Sequence, residues 1–220
     1  MEYIGGSPRV ALELKHPFTD YVFIEVDERR IDHLRNLERE FRGCRIHIKQ
    51  QDCNEYLRAL LRHNQGKWGQ WRGVVFLDPF GMHVPWNTIA DLGKTGAIEV
   101  FINFPVGMAI QRLLKRSGEF SNKEREKLDL YFGTEEWFDL LYQAEKDLIG
   151  EKVTKVKNAG DVLVKWYRDR LKGVFGYVTT AREIQATNGR PLYYLIFAGP
   201  NKTGAKIAEH VLRQGARKIR

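Results

Sequence analysis

The chain has 220 residues, of which 43% are apolar and 29% are charged, and its formal net charge at pH 7 is +8. A chain of this length can bury one good hydrophobic core, and this composition excludes a largely disordered protein. Cys44 and Cys53 are the only cysteines, too few for a disulfide framework or, by themselves, for a zinc site. No apolar run approaches the roughly 18 residues that span a bilayer. Residues 1–6 lack a signal-peptide pattern, so we expect a cytoplasmic protein with no membrane partner.

The first half of the chain alternates between strand and helix signals. Strand signals occur at residues 21–26, 44–48, 74–77 and 98–104. Apolar residues at helical spacing lie between them, at 28–41, after Asp52 and at 86–92, and again from residue 108 to 114. Strands separated by helices at this interval form right-handed crossovers. The pattern therefore predicts a Rossmann-like, mostly parallel sheet that is covered on both faces.

The second half has a different pattern. Residues 118–172 have helical spacing and no strand signal, which indicates a helical insertion. Two strand signals follow, at 174–180 and 192–198, and the loop between them contains Asn188-Gly189. Such a short connection favours antiparallel pairing. We therefore predict one α/β domain over residues 1–220, in which a C-terminal antiparallel hairpin completes the sheet.

The most informative segment is the apolar run at 74–77 and the turn Asp78-Pro79-Phe80-Gly81 that follows it. The run predicts a strand that is buried on both faces. Asp78 should project from the carboxyl end of this strand, and ligands of open α/β sheets bind at that edge. The alternative is an ordinary turn in which Asp78 caps the next helix.

Acidic residues also follow the first two strands. Glu25 could accept hydrogen bonds from ribose hydroxyls, or it could cap the next helix, and Asp27 competes for both roles. Asp52 could accept from an adenine amine while the backbone N–H of Cys53 bonds the ring. Asp52 also fits the N-cap of its helix, and the two roles are compatible.

Gly5 and Gly6 stand at the start of the sequence, before Ser7 as an N-cap and Pro8 at the first helical position. Glycines in such a turn allow close approach of backbone to a cofactor. No apolar strand precedes them in the sequence. We therefore expect that the first strand of the sheet is missing, through truncation or a wrong start site, and that the chain as it stands binds cofactor weakly.

Together these segments resemble the three-Cys-motif partner proteins, a bacterial family related to class I S-adenosylmethionine-dependent methyltransferases. The resemblance spans nearly the whole chain, in five main blocks that occur in the same order. They are Gly6-Ser7-Pro8, Phe23-Ile24-Glu25, Asp52 with Asn54, the block from Phe76 to Gly81, and Asn103-Phe104-Pro105. The Asp-Pro-Phe turn is itself similar to the Asp-Pro-Pro-Tyr/Phe loop of amino-methyltransferases.

The resemblance implies a methyltransferase-like protein that uses S-adenosylmethionine and acts on an amine of a planar or nucleic-acid substrate. It implies that Asp78 and the Pro79 carbonyl accept from the amine and that Phe80 stacks on its ring. Cofactor contacts are expected from Gly5, Gly6, Glu25, Asp52 and Cys53, and substrate contacts from Gly81, His83 and Asn103. A three-Cys-motif protein is the implied partner. The alternative function is a non-catalytic scaffold that retains the fold.

Several side chains near this turn remain open to two interpretations. Asn103 could position a polar group of a substrate or satisfy loop backbone, and His83 could act as a base or face solvent. Trp68, Trp71 and Trp86 flank the turn and could stack on a planar substrate or belong to the core. Basic residues near the C-terminus, with little opposing charge around them, form a candidate phosphate-binding patch. They are Arg213, Arg217, Lys218 and Arg220.

Overall fold

The computed structural model describes residues 6–78, 81–147 and 150–214. The chain divides into two compact units, Met1–His63 and Asn64–Arg220. The expectation of one domain over the whole chain stays a prediction. No helix in the described ranges is long and apolar enough to cross a bilayer.

The first unit is a strand–helix–strand crossover that is preceded and followed along the chain by a helix. Its elements are α1 (Ser7–Leu12), β1 (Tyr21–Glu25), α2 (Glu28–Glu40), β2 (Ile46–Gln50) and α3 (Cys53–His63). The two strands are parallel, with Tyr21 opposite Ile46 and Glu25 opposite Gln50. Buried Ile31 and Leu34 form the inner face of α2. The predicted parallel pairing of the first two strands is confirmed.

The second unit begins with another strand–helix–strand crossover. Its first elements are β3 (Gly73–Leu77), α4 (Trp86–Lys94), β4 (Ile98–Phe104), a π-helical turn (Val106–Ile110) and the single turn α5 (Gln111–Leu113). The elements that follow are α6 (Asn122–Phe132), α7 (Glu136–Leu141), β5 (Tyr142–Asp147), β6 (Gly150–Lys155) and α8 (Ala159–Phe175). The last elements are β7 (Tyr177–Val178), β8 (Arg182–Gln185), β9 (Pro191–Gly199) and α9 (Lys202–Gln214).

The main sheet of the second unit has the strand order β3-β4-β9-β7, and β8 also pairs with β9. Strands β3 and β4 are parallel. Strand β9 is antiparallel to β4, to β7 and to β8. The prediction of a mixed α/β sheet that ends in antiparallel strands is therefore confirmed.

Two sequence-based predictions about this unit are wrong. Strand β3 is not buried on both faces, since Val74 is 43% and Phe76 is 48% exposed. Among the described residues β3 pairs only with β4, so it is an edge strand whose outer side chains are left uncovered. Residues 118–172 are not all helical either. The helical spacing is real in α7, but the chain then turns into the hairpin of β5 and β6.

The chain leaves β4 very close to the start of β9. A Cβ atom on Gly107 would lie 1.9 Å from the carbonyl oxygen of Pro191. Only glycine fits there, because any side chain would overlap this backbone. The close approach fixes the exit of β4, which carries the residues of the candidate site.

An aromatic cluster fills the core beneath the end of β4. The ring of Phe104 stacks on Tyr167 with centroids 4.3 Å apart, and Trp86 contacts Tyr167 edge-on at 5.5 Å. The guanidinium carbon of Arg170 lies 3.9 Å from the Trp86 ring centroid. Trp86 is only 8% exposed and therefore belongs to the core.

Candidate functional site

The structure places Asp78 and Asn103 side by side at the carboxyl edge of β3 and β4. These strands are parallel, with Leu77 opposite Ile102, so the residues that follow come together. The Asn103 amide nitrogen donates to Asp78 Oδ1 at 2.5 Å. Asp78 is exposed, whereas Asn103 is only 7% exposed. The hydrogen bond therefore links an exposed carboxylate to a buried amide.

The amide oxygen of Asn103 has no hydrogen-bond donor among the described residues, although it is buried. Its orientation is set by Asp78, because a carboxylate accepts and the amide must present its NH₂ group to it. Buried polar atoms normally have a partner. The edge therefore holds an exposed acceptor, the Asp78 carboxylate, beside a buried acceptor, the unsatisfied amide oxygen of Asn103.

Tyr193 completes this edge, and the sequence analysis did not single it out. Burial raises the pKa of its phenol, and the negative charge of Asp78 raises this pKa further. The shift indicates that the Tyr193 phenol lies close enough to Asp78 to be affected by its charge. Asn103 pairs with Leu195, two residues after Tyr193. That register depends on long-range pairing, so spacing in the sequence gave no signal for it.

The structure describes only part of the rest of the predicted loop. Pro79 and Phe80, expected to hold and stack on the substrate, lie outside the described residues. Gly81 has a φ of 84°, in the left-handed region that favours glycine, so the sharp bend is present. His83 is exposed between the buried residues Met82 and Val84. Its exposure fits the solvent-facing interpretation.

The predicted cofactor residues Glu25, Asp52 and Cys53 lie together in the first unit. Glu25 ends β1 opposite Gln50 of the parallel strand β2, and Asp52 follows two residues later. Burial raises the pKa of the Cys53 thiol, and the charges of Asp52 and Glu25 add to the increase. Cys53 is therefore a poor nucleophile. The two carboxylates lie at the same end of this parallel strand pair, and their role toward a nucleoside stays a prediction.

Both carboxylates also bond to their own backbone. Glu25 Oε1 accepts from the N–H groups of Val26 at 2.8 Å and Asp27 at 3.1 Å. Burial acts to raise the pKa of Glu25, but these bonds and a third from Arg30 lower it overall. Glu25 is not the cap of α2, because Asp27 accepts from the Arg30 N–H in that position.

Asp52 caps α3, as one of its two predicted roles requires. Its Oδ1 accepts from the N–H groups of Asn54 at 2.8 Å and Glu55 at 3.1 Å. One carboxylate oxygen thus serves the helix. The described residues provide no hydrogen-bond donor for the other oxygen, so the second predicted role stays a prediction that is compatible with the first.

The structure describes the N-terminal glycine turn only from Gly6 onward, because Gly5 lies outside the described residues. Gly6 is the N-cap of α1, and Ser7 stands inside the helix rather than at its cap. The prediction of Ser7 as the N-cap is wrong by one position. Gly6 has a φ of −58°, and a Cβ there would only touch Pro8 at 3.7 Å. Neither backbone nor packing requires glycine, so its predicted role toward a cofactor stays a prediction.

No group of three or more His, Cys, Asp or Glu side chains that could hold a metal ion occurs in the part of the chain that the structure describes. No family model, curated protein or solved structure matches the chain.

Proposed function

We propose that the protein is a methyltransferase-like enzyme that uses S-adenosylmethionine to methylate an amine of a planar substrate, such as a nucleobase. The observation that carries this proposal is the pair of adjacent acceptors, the Asp78 carboxylate and the unsatisfied amide oxygen of Asn103. A primary amine would donate one N–H to the exposed Asp78 carboxylate, and a local opening of the edge would let its second N–H reach the buried Asn103 oxygen and fix its orientation. Its lone pair would then be free to attack a methyl group.

The chemistry needs little beyond positioning. When bound, S-adenosylmethionine would supply an electrophilic methyl group. The nitrogen gains positive charge as the N–C bond forms, and the Asp78 carboxylate stabilises that charge before the proton leaves to solvent. Holding the two reactants in line supplies much of the acceleration. No nucleophilic side chain is required, which agrees with the raised pKa of Cys53.

The fold gives independent support. Parallel strands followed by antiparallel ones in a single sheet are the arrangement expected of class I methyltransferases, and the second unit contains it. Glu25 and Asp52 at one strand edge of the first unit suit ribose hydroxyls and an adenine amine.

Methyl transfer by Asp78→Asn tests the catalytic proposal. The full-length protein, with any residues that its gene encodes before Met1, would be incubated with tritiated S-adenosylmethionine. The acceptors would be a mixed-sequence single-stranded oligonucleotide, adenosine and cytidine. We expect a loss of at least about tenfold, or roughly 1.4 kcal/mol of barrier, with little change in Tm because Asp78 is exposed. Asp91→Asn is the matched control, since Asp91 is an exposed acid of α4. Equal activity of the two variants would contradict the proposed role of Asp78.

The second candidate function is a non-catalytic scaffold that binds a three-Cys-motif protein. The bonds that Glu25 and Asp52 already make to their own backbone favour it, because these carboxylates have a structural role without any ligand. Calorimetry with S-adenosylmethionine distinguishes the two functions. In an enzyme, Glu25→Ala weakens binding by about 1.5–3 kcal/mol, the value of a hydrogen bond to a charged group. No heat of binding to the wild-type protein would favour the scaffold.

A further inference from the structure

A basic groove of about 590 Å³ lies in the second unit, between α8, β7 and α9. Five cationic side chains line it, against two carboxylates and one histidine. The cationic residues are Arg168, Lys172, Lys202, Lys206 and Arg213. Among the described residues, Arg213 alone belongs to the C-terminal patch that the sequence suggested, and Arg217, Lys218 and Arg220 of that patch lie outside the described residues. The groove is therefore assembled by folding from three separate elements.

One of the two carboxylates that line the groove, Glu209, is already satisfied. Glu209 accepts from the N–H and the hydroxyl of Thr180 at 2.7 and 2.6 Å, and from Arg213 Nε at 2.9 Å. Burial acts to raise the pKa of Glu209, but these bonds lower it overall. The carboxylate thus holds Arg213 in place, while the Arg213 side chain remains 74% exposed.

The lysines of the groove, in contrast, are available to a ligand. Lys172, Lys202 and Lys206 are exposed, and the described residues provide no hydrogen-bond acceptor or ion pair for them. Lys202 and Lys206 are one turn apart on α9 and therefore face the same side. Such a row of cations suits the repeating phosphates of a nucleic-acid backbone.

An exposed aromatic ring lies beside these cations. Tyr177, at the start of β7, lines the groove and is 40% exposed. A cationic groove with an aromatic side chain on which a base can stack is how proteins bind single strands without reading sequence. Bases in a duplex are already stacked on each other, so the ring gives a single strand the advantage.

The end of α9 contacts strand β8, which lies two strands from the one that carries Asn103. Arg182 donates to the Leu212 carbonyl near the end of α9, and Arg182 pairs with Leu195, which pairs with Asn103. The backbone of Arg182 is thus about two strand spacings, roughly 10 Å, from that of Asn103.

We propose that this groove binds single-stranded nucleic acid, with phosphates on the lysines of α9 and a base stacked on Tyr177. The proposal does not depend on the proposed methyl transfer, because binding requires no cofactor.

The test is fluorescence anisotropy with a 20-nucleotide single-stranded DNA and the full chain, without S-adenosylmethionine. The variant Lys202→Gln/Lys206→Gln should bind about tenfold more weakly. The slope of the logarithm of its binding constant against the logarithm of salt concentration should become shallower by about 1.4. Each of the two lost phosphate contacts on a single strand contributes about 0.7 to that slope. The control is Lys123→Gln/Lys127→Gln, which removes two exposed lysines at the same spacing on α6 and should change affinity less than twofold. Equal losses in the two double variants would overturn the proposal, because net charge alone would then explain binding.

The second variant, Tyr177→Leu, separates stacking from charge. Its affinity should fall at least about fivefold with an unchanged salt slope. Unchanged affinity, or equal affinity of the wild-type protein for a 20-base-pair duplex, would overturn the assignment to single strands. Binding to phosphatidylserine vesicles that is lost in the α9 variant, without binding to DNA, would overturn it in favour of a lipid surface. A loss of methyl transfer alone would leave it standing.

Discussion

Replacement of Asn103 by leucine should leave the stability of the protein nearly unchanged while it removes the proposed amine acceptor. Two terms of opposite sign decide this. The variant loses the bond to the Asp78 carboxylate, which is worth about 1.5–3 kcal/mol for a charged partner. Asp78 is exposed, so water can replace the lost donor and the lower end of that range applies.

The opposing term comes from the amide oxygen of Asn103, which is buried without a described donor. Leaving such an acceptor unsatisfied costs about 1–3 kcal/mol, and an apolar side chain of the same size removes that cost. The two terms nearly cancel. We expect a free energy of unfolding within about 1 kcal/mol of the wild type in urea denaturation, together with at least about a tenfold loss of methyl transfer.

Thr179→Val is the matched control for this measurement. Thr179 is also buried, at 2% exposure, but its hydroxyl accepts from the Phe197 N–H at 3.1 Å. Valine would leave that N–H unsatisfied and should destabilise the protein by about 1–3 kcal/mol. A loss of more than about 3 kcal/mol in Asn103→Leu would refute the reasoning, because it would mean that the amide oxygen has a partner in the folded protein.

Two further predictions concern the fold. Gly107→Ala should lower the free energy of unfolding by at least about 2 kcal/mol in urea, because its Cβ would overlap the carbonyl oxygen of Pro191. Gly173→Ala, with open space around its Cβ, should raise it by up to about 1 kcal/mol, and equal effects would contradict the steric argument. Glu124 accepts hydrogen bonds from Lys115 and from the backbone N–H and hydroxyl of Ser121. These bonds lower the pKa of Glu124 to about 2. The stability it contributes is therefore present above its ordinary pKa of 4.5 and lost as pH falls toward 2. The urea midpoint of Glu124→Gln should depend less on pH in that window, and an unchanged pH dependence would contradict the assignment.

The local elements of the fold could be predicted from the sequence because their signals are local. Strand 98–104 was predicted with the bounds that β4 has, and the α2 helix begins at the predicted Glu28. The hairpin of β5 and β6 was missed because its strands, in contrast, carry mostly polar residues that pair with each other. The exposure of Val74 and Phe76 was missed for another reason. An apolar run shows that a strand is suited to burial, but its neighbours decide whether it is covered.

In the candidate site, too, the features that follow from local sequence could be predicted, and those that depend on long-range packing could not. That Asp78 and Asn103 follow adjacent strands could be predicted, because parallel strands bring their carboxyl ends together. Their direct hydrogen bond, the unsatisfied amide oxygen and the proximity of Tyr193 depend on rotamers and on the register between β4 and β9. The basic groove depends on the packing of α8 and α9. The run of charges in the sequence therefore showed only its Arg213.

The two sides of the acceptor pair differ in how firmly the fold holds them, and this difference bears on function. Asn103 is in a strand paired on both edges, and the next residue, Phe104, is fully buried and stacked on Tyr167. Asp78, in contrast, follows an edge strand and is exposed. In the proposed reaction Asn103 would therefore hold its place, while the exposed Asp78 side chain adjusts to the bound amine. Under that proposal the Asn103 amide fixes the position of Asp78, and the exposed carboxylate can follow the nitrogen as it becomes cationic.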